Sequence, residues 1–349
     1  MKLIEWNPVS VDQVSSNALP SRYSYRLIFF SLLVFVPLAC LGLLSQNWPI
    51  YLQLLPLFLS LFIFGMPHGG ADHLLIWGML RNDSYGRRII SLALYALIAL
   101  IYVIFWNFQP LAAAVFFLVL TIFHWGQGDR YISVRFHKAN YLLRSRMLTI
   151  LHILSRGSIP ILVPGYLSNE IYRNVIESLV NSGSQASYQA QWVSMYPQLF
   201  LYVPLGLSLL YISTNFMYIN GENKRPFLID CMESIFLFAW FLFIPALWAI
   251  GCYFLLWHSL RHTLRILLID TKGSRLLISK QYFKLNSRWL QLTSLMTMIA
   301  LIGMYIFYSM SLSLRGIELE WLSKALIGIS VLTLPHTVVV CWMDRKQQL

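Results

Sequence analysis

Four short stretches set histidine where apolar sequence ends or is interrupted: "GMPHGGADHL" (65–74), "FHWGQGD" (123–129), "WHSLRH" (257–262) and "LTLPH" (332–336). His258 and His262 are four apart, so on a helix both project from one face. Two imidazoles at that spacing can bind one metal ion. Taken alone they read equally well as a surface pair, with Arg261 and Arg265 snorkelling to the headgroups. His68 and His124 are each followed by glycine and then, four or five residues on, by Asp72 or Asp129. Such an aspartate can accept the free N–H of a ligand histidine and fix its tautomer. The plainer alternative is a helix C-terminus with glycine caps and a solvated aspartate. Either way, the glycines let the backbone leave the helix or approach a neighbour closely. The likeness of the two motifs suggests a duplicated helical hairpin, with no longer repeat behind it.

The other histidines carry less. His336 follows Pro335 inside an apolar run and reads as a ligand, a hydrogen-bonding support for ligands or a packed core residue, with the latter two favoured. His73 is five residues from His68 and off its face. His152 lies near Arg156, an arginine in an apolar stretch that needs an acidic partner; Asp72, Asp129, Asp230 and Glu233 stand at similar depth.

These histidines must be positioned by helices in lipid. The 349 residues are 58% hydrophobic and 11% charged, whereas soluble domains carry about 25% charged residues. A span needs roughly 20 apolar residues. Candidates lie near 27–45, 49–67, 89–108, 110–126, 147–165, 197–218, 228–249, 250–269, 291–311 and 324–343. The expected fold is therefore all-α, a polytopic transmembrane helix bundle of eight to ten spans. Strands open to lipid are excluded by their unpaired backbone groups. Lys and Arg cluster on one side of this topology, which the positive-inside rule makes cytoplasmic, with both termini there. The expected organisation is a cytoplasmic segment 1–26, one catalytic membrane domain 27–343 with an extracytoplasmic loop 166–196, and a cytoplasmic tail 344–349. The net charge of +12 then reflects topology and anionic lipid, and no basic module suits nucleic acid. The four cysteines show no paired spacing and read as packing residues.

On this topology seven of the eight histidines lie in one half of the membrane; His137 alone is plainly in a loop. Ionisable groups inside spans usually mark function. If His68, His124, His258 and His262 meet, they form a site of neutral imidazoles with no protein anion, suited to iron, zinc, copper or nickel. "HExxH" is absent and no cysteine accompanies them, so a ferrous ion with a position left for O2 fits best. Trp77, Phe123, Trp125, Tyr253, Phe254 and Trp257 flank the histidines and point to an apolar substrate tunnel.

Together the four motifs resemble, in order and spacing, the Brp/Blh family of bacteriorhodopsin-related membrane β-carotene dioxygenases, over about 60–342. The resemblance implies oxidative cleavage of the central double bond of β-carotene by O2 into two molecules of retinal. It implies Fe(2+) on His68, His124, His258 and His262 and a less defined role for His336, with His73 outside the ligand set; Asp72, Asp129, His73 and His152 are the remaining candidates for residues around the centre by position alone. It also implies the cell membrane as location and a rhodopsin as recipient of the product. A centre near the cytoplasmic edge would require a tunnel running obliquely or in the membrane plane, since a long polyene could not stand upright on it. Two other readings belong to different classes. A di-iron lipid or carotenoid desaturase or hydroxylase would show HxxHH and two irons. A non-enzymatic transporter or retinal-protein partner would show discontinuous helices in matching halves.

Overall fold

The computed structural model describes residues 21–181, 188–216, 219, 221–310 and 320–349; most of the expected N-terminal segment 1–26 lies outside them. The chain begins with α1 (Ser21–Leu44), followed by four short helices, α2 (Ile50–Gln53), α3 (Leu55–Ile63), α4 (Gly65–Gly70) and α5 (Asp72–Met79). The hairpin of α6 (Tyr85–Phe108) and α7 (Pro110–Arg135) turns at Gln109. Then follow α8 (Arg146–Leu167), α9 (Asn169–Asn181), α10 (Gln191–Met195), α11 (Leu199–Phe216) and α12 (Lys224–Phe243). The next rod is composite: α13 (Ala246–Cys252), a π-helical stretch (Tyr253–Ser259) and α14 (Leu260–Ile269). The chain ends in α15 (Thr271–Ile278), α16 (Tyr282–Met310) and α17 (Glu320–Lys346). No strand occurs among the described residues.

Seven of these helices are long and apolar enough to cross a membrane: α6, α7, α8, α11, α12, most of α16 and α17. α1, the segment 50–79 and the rod 246–269 fall where the other three expected spans lie. Outward faces are apolar; on α6, Leu94, Leu97, Ile101 and Ile104 are each about half exposed, as lipid-facing side chains should be.

The two irregular segments, 50–79 and 246–269, carry four of the histidines, His68, His73, His258 and His262, and one break has a traceable cause. Pro67 has no N–H to give to the carbonyl of Ile63 four residues earlier. That carbonyl accepts instead from Trp289 Nε1 at 3.2 Å, which ties the break to α16. Irregular backbone at membrane depth is tolerated where protein takes up the freed groups. The π-helical stretch widens the next rod just before His258, a distortion often found at functional sites.

The expected span 110–126 is too short. α7 continues to Arg135, because Gln127, Asp129 and Arg130 are buried with partners instead of leaving into solvent. Its glycine does not end the helix. A Cβ on Gly126 would lie 1.9 Å from the carbonyl oxygen of Ile153, and one on Gly157 would lie 1.8 Å from that of Ile122. The two glycines therefore let α7 and α8 cross with backbones in contact, the small-residue packing usual in membranes.

Both expected polar appendages are also more deeply built in. In the loop 166–196, α9 packs on α7, α8 and α17 and buries Ile176, Leu179 and Val180 against Tyr102, Trp106 and Phe117. In the tail, Asp344 and Gln347 are buried, and Asp344 pairs with Arg265 at 2.6 Å. A chain end supplying carboxylate to an internal arginine has to stay folded.

Gly126→Ala and Gly157→Ala should each lower stability by ~1–3 kcal/mol or more, since neither carbonyl can yield without parting the helices. Gly206→Ala, with no atom within 4 Å of the new Cβ, should be neutral or stabilising by up to ~1 kcal/mol. Thermal unfolding in detergent separates the two classes.

Candidate metal centre

Five imidazoles converge at the middle of the bundle. His68 comes from α4, His124 from α7, His258 from the π-helical stretch, His262 from α14 and His336 from α17. All five are buried. Their ring centroids form a closed circuit: His68 to His258 5.5 Å, His258 to His124 4.9 Å, His124 to His336 4.9 Å and His336 to His68 4.9 Å. His262 caps that circuit, 5.1 Å from His68 and His336, 6.1 Å from His124 and 6.4 Å from His258. Ligand atoms of His68, His124 and His336 lie within 4.8 Å of one another. Two imidazole nitrogens on opposite sides of one ion sit about 4.2 Å apart, so shifts of a few tenths of an ångström suffice.

The hydrogen bonds leave nitrogens pointing inward. His68 Nδ1 donates to the carbonyl of Phe64 at 3.0 Å. His336 Nδ1 donates to both oxygens of Asp72, at 2.9 and 2.8 Å. A carbonyl and a carboxylate only accept, so the Nε2 atoms of both rings keep free lone pairs. Nε2 of His124, His258, His262 and His336, and Nδ1 of His124, are buried with no hydrogen-bond partner. Each unmade buried hydrogen bond costs about 1–3 kcal/mol. Four rings with such atoms around one point, each able to offer one nitrogen, are better explained as ligands than as packing. The donor set fits a divalent ion that accepts imidazole.

Directly beside this centre lies a balanced charge cluster. Arg156 holds Asp129 Oδ2 at 2.9 Å and Glu233 at 2.7 Å; Arg261 holds Asp129 Oδ1 at 3.2 Å and Glu233 at 2.6 Å. Trp257 Nε1 donates to Asp129 at 3.0 Å, and the Arg261 guanidinium stacks 3.6 Å from the Trp257 ring centroid. Arg261 sits between His258 and His262, so this cluster sets the orientation of the helix that presents both. Asp129 is thus the anchor of two arginines and not a hydrogen-bond partner of His124. Asp72 does support a ring of the cluster, but that ring is His336 and not the nearby His68.

The remaining expected residues divide clearly. His73 turns away and donates to the carbonyl of Gly70 at 2.9 Å. His152 belongs to a separate buried group, 3.3 Å from Ser133 and 3.4 Å from Asp230, which also accepts from Tyr141 and Tyr211. An apolar cavity of ≈ 140 Å³ adjoins the cluster, and Trp125 and Phe254 line it. Their rings also meet the histidines, at 5.6 and 6.1 Å from His258. The other four aromatic residues do not line this cavity. Trp77 packs with Tyr85 and Arg88, and Phe123 is 36% exposed on the outer face. Tyr253 and Trp257 are wholly packed in the core.

Sequence reasoning missed most of the cavity wall. Phe117 and Thr121 on α7, Leu322, Leu326 and Ile329 on α17, and Ala246 and Ile250 on α13 step along it at one-turn spacing. They bear no chemical signal that distinguishes them from lipid-facing residues. With residues of α3, α8 and α9 they enclose the cavity between helices of the bundle. His124 lies eleven residues, about 16 Å, from the Arg135 end of α7. A smaller cavity between α3 and α17 shares Leu54, Leu57 and Leu322 with the first, and exposed Phe58 and Trp321 border it.

A family model for beta-carotene 15,15'-dioxygenase matches residues 59–344. The chain is 30% identical over 304 residues to a probable beta-carotene 15,15'-dioxygenase Blh of Halobacterium salinarum, covering 84% of each chain. It is 24% identical over 293 residues to a beta-carotene 15,15'-dioxygenase of an uncultured marine bacterium, covering 82% of this chain and 93% of that one. No solved structure matches.

Arg261→Met should cost about 3–5 kcal/mol, because it leaves two buried carboxylates to one arginine. Metal retention should fall with it, as the helix bearing His258 and His262 loosens. Unfolding temperature and metal content of the purified variant test both.

Proposed function

The chain belongs to the beta-carotene 15,15'-dioxygenase family, whose reaction splits β-carotene into retinal, and on that premise we propose that it is done here at one iron ion held by His68, His124, His258 and His262. The central double bond breaks and each of its two carbons takes one atom of O2, so the products are two retinal molecules and no reductant is consumed. The observation that carries this reading is the convergence of buried, unpartnered imidazole nitrogens beside an apolar cavity. Iron bound there supplies the one-electron chemistry by which O2 reacts with a closed-shell polyene.

The chain's own residues do the rest. Trp125 and Phe254 lie against both the histidines and the cavity and hold the conjugated chain by ring contact. Thr121 turns its hydroxyl back to the carbonyl of Phe117 at 2.7 Å, which keeps the wall apolar. Water is excluded, so a reactive intermediate meets no competing nucleophile. The nearby carboxylates are neutralised by Arg156 and Arg261, so no free anion competes for the metal. The basic end of the bundle faces the cytoplasm in the cell membrane. The cavity then occupies the opposite half of the bilayer, where a carotenoid dissolved in lipid enters between α3 and α17.

Wild-type protein should contain one iron per chain and turn an orange β-carotene-producing host pale as retinal accumulates. His124→Ala and His258→Ala should abolish retinal and lose iron. Thr121→Trp, which fills the cavity without touching a ligand, should keep its iron and lower retinal formation ~100-fold, the cost of misplacing a substrate by about 1 Å. Chromatography of extracted pigments with elemental analysis reads all of these; two irons per chain, or retinal undiminished in the histidine variants, would defeat the proposal.

A further inference from the structure

We infer that His336 is a fifth imidazole ligand of the same ion, with Asp72 as the positioning residue that sets its donor strength and Tyr95 as a counterweight on Asp72. The inference rests on the proposed single-iron reading. The circuit of rings carries it: His336 sits 4.9 Å from both His68 and His124 and 5.1 Å from His262, and its ligand atom lies within 4.8 Å of those of His68 and His124. Its Nε2 is buried and unpartnered, while its Nδ1 is held by both oxygens of Asp72. A histidine kept only to pair α17 with α5 would have no reason to aim its other nitrogen at four more imidazoles.

The electrostatics point the same way. A divalent ion on neutral imidazoles leaves two positive charges in a medium of low dielectric, which is costly. Asp129 and Glu233 are occupied by Arg156 and Arg261. Asp72 is the carboxylate that reaches the cluster, through the His336 ring. A carboxylate on the far nitrogen makes a ligand imidazole more basic and fixes its orientation. Tyr95 donates to Asp72 Oδ2 at 3.0 Å and draws off part of that charge. Three elements, α5, α6 and α17, therefore meet to tune one ligand.

The two partners of Asp72 make opposite predictions, which a merely structural role would not. In iron-loaded protein in detergent, Asp72→Asn should weaken iron affinity about 10–100-fold against a competing chelator and raise the reduction potential. Tyr95→Phe should retain affinity and lower the potential. His336→Ala should lose more affinity than Asp72→Asn and regain part of it with added imidazole; should it fail to fold, the Asp72 and Tyr95 variants still decide the matter. A wild type that binds no iron overturns the single-iron reading and this inference with it. A wild type with one iron, and variants whose affinity and potential are unmoved or move together, overturns the fifth ligand alone.

Discussion

Five imidazoles buried around one point, four of them with nitrogens that nothing in the protein satisfies, are the constraint that the rest of the structure serves. Left alone they would cost roughly 1–3 kcal/mol per unpaired nitrogen, a total comparable to the stability of a whole domain. A divalent ion bound there, worth on the order of 10 kcal/mol in well-formed protein sites, would offset that cost and make the cluster an organising centre. Reaching it dictates the irregularities of the fold. The break before α4 delivers His68, and the π-helical stretch delivers His258 one helical turn ahead of His262. The Gly126–Gly157 crossing presses α7, with His124, against α8.

Around that centre the bundle is divided in character. Towards the basic end, polar residues pair inside the protein: Asp129 and Glu233 with Arg156 and Arg261, Asp344 with Arg265, and Asp270 with Arg288. Each group is close to neutral overall, which is what allows it to be buried; removing one partner leaves a stranded charge. Towards the other end the lining is apolar, and the cavity runs up to Trp125 and Phe254. One half of the molecule fixes the geometry of the histidines. The other is the half in which the proposed function places the hydrocarbon.

Several features of this division were legible in the residues. The all-α membrane fold follows from apolar runs of spanning length, and the seven long apolar helices agree with it. The four motifs lead to the right neighbourhood, because imidazole inside a span is costly enough to demand a reason. Arg156 signalled its need for carboxylates, and Asp129 and Glu233 answer it. The same polar residues misled the expected end of α7, since Asp129 next to glycine looks like a helix leaving the membrane. In the folded chain it is paired with arginines from two other helices, and no local pattern distinguishes those cases.

Composition and spacing by themselves determined the solvent, the secondary structure and the residue types able to hold a metal, because hydropathy, charge and side-chain chemistry are properties of each residue and its near neighbours. Which histidines share a centre, that Asp72 serves His336 from 264 positions away, and where the cavity runs were decided only by tertiary packing. Those facts depend on distances between helices remote in sequence, and apolar residues lining a cavity are chemically the same as apolar residues facing lipid.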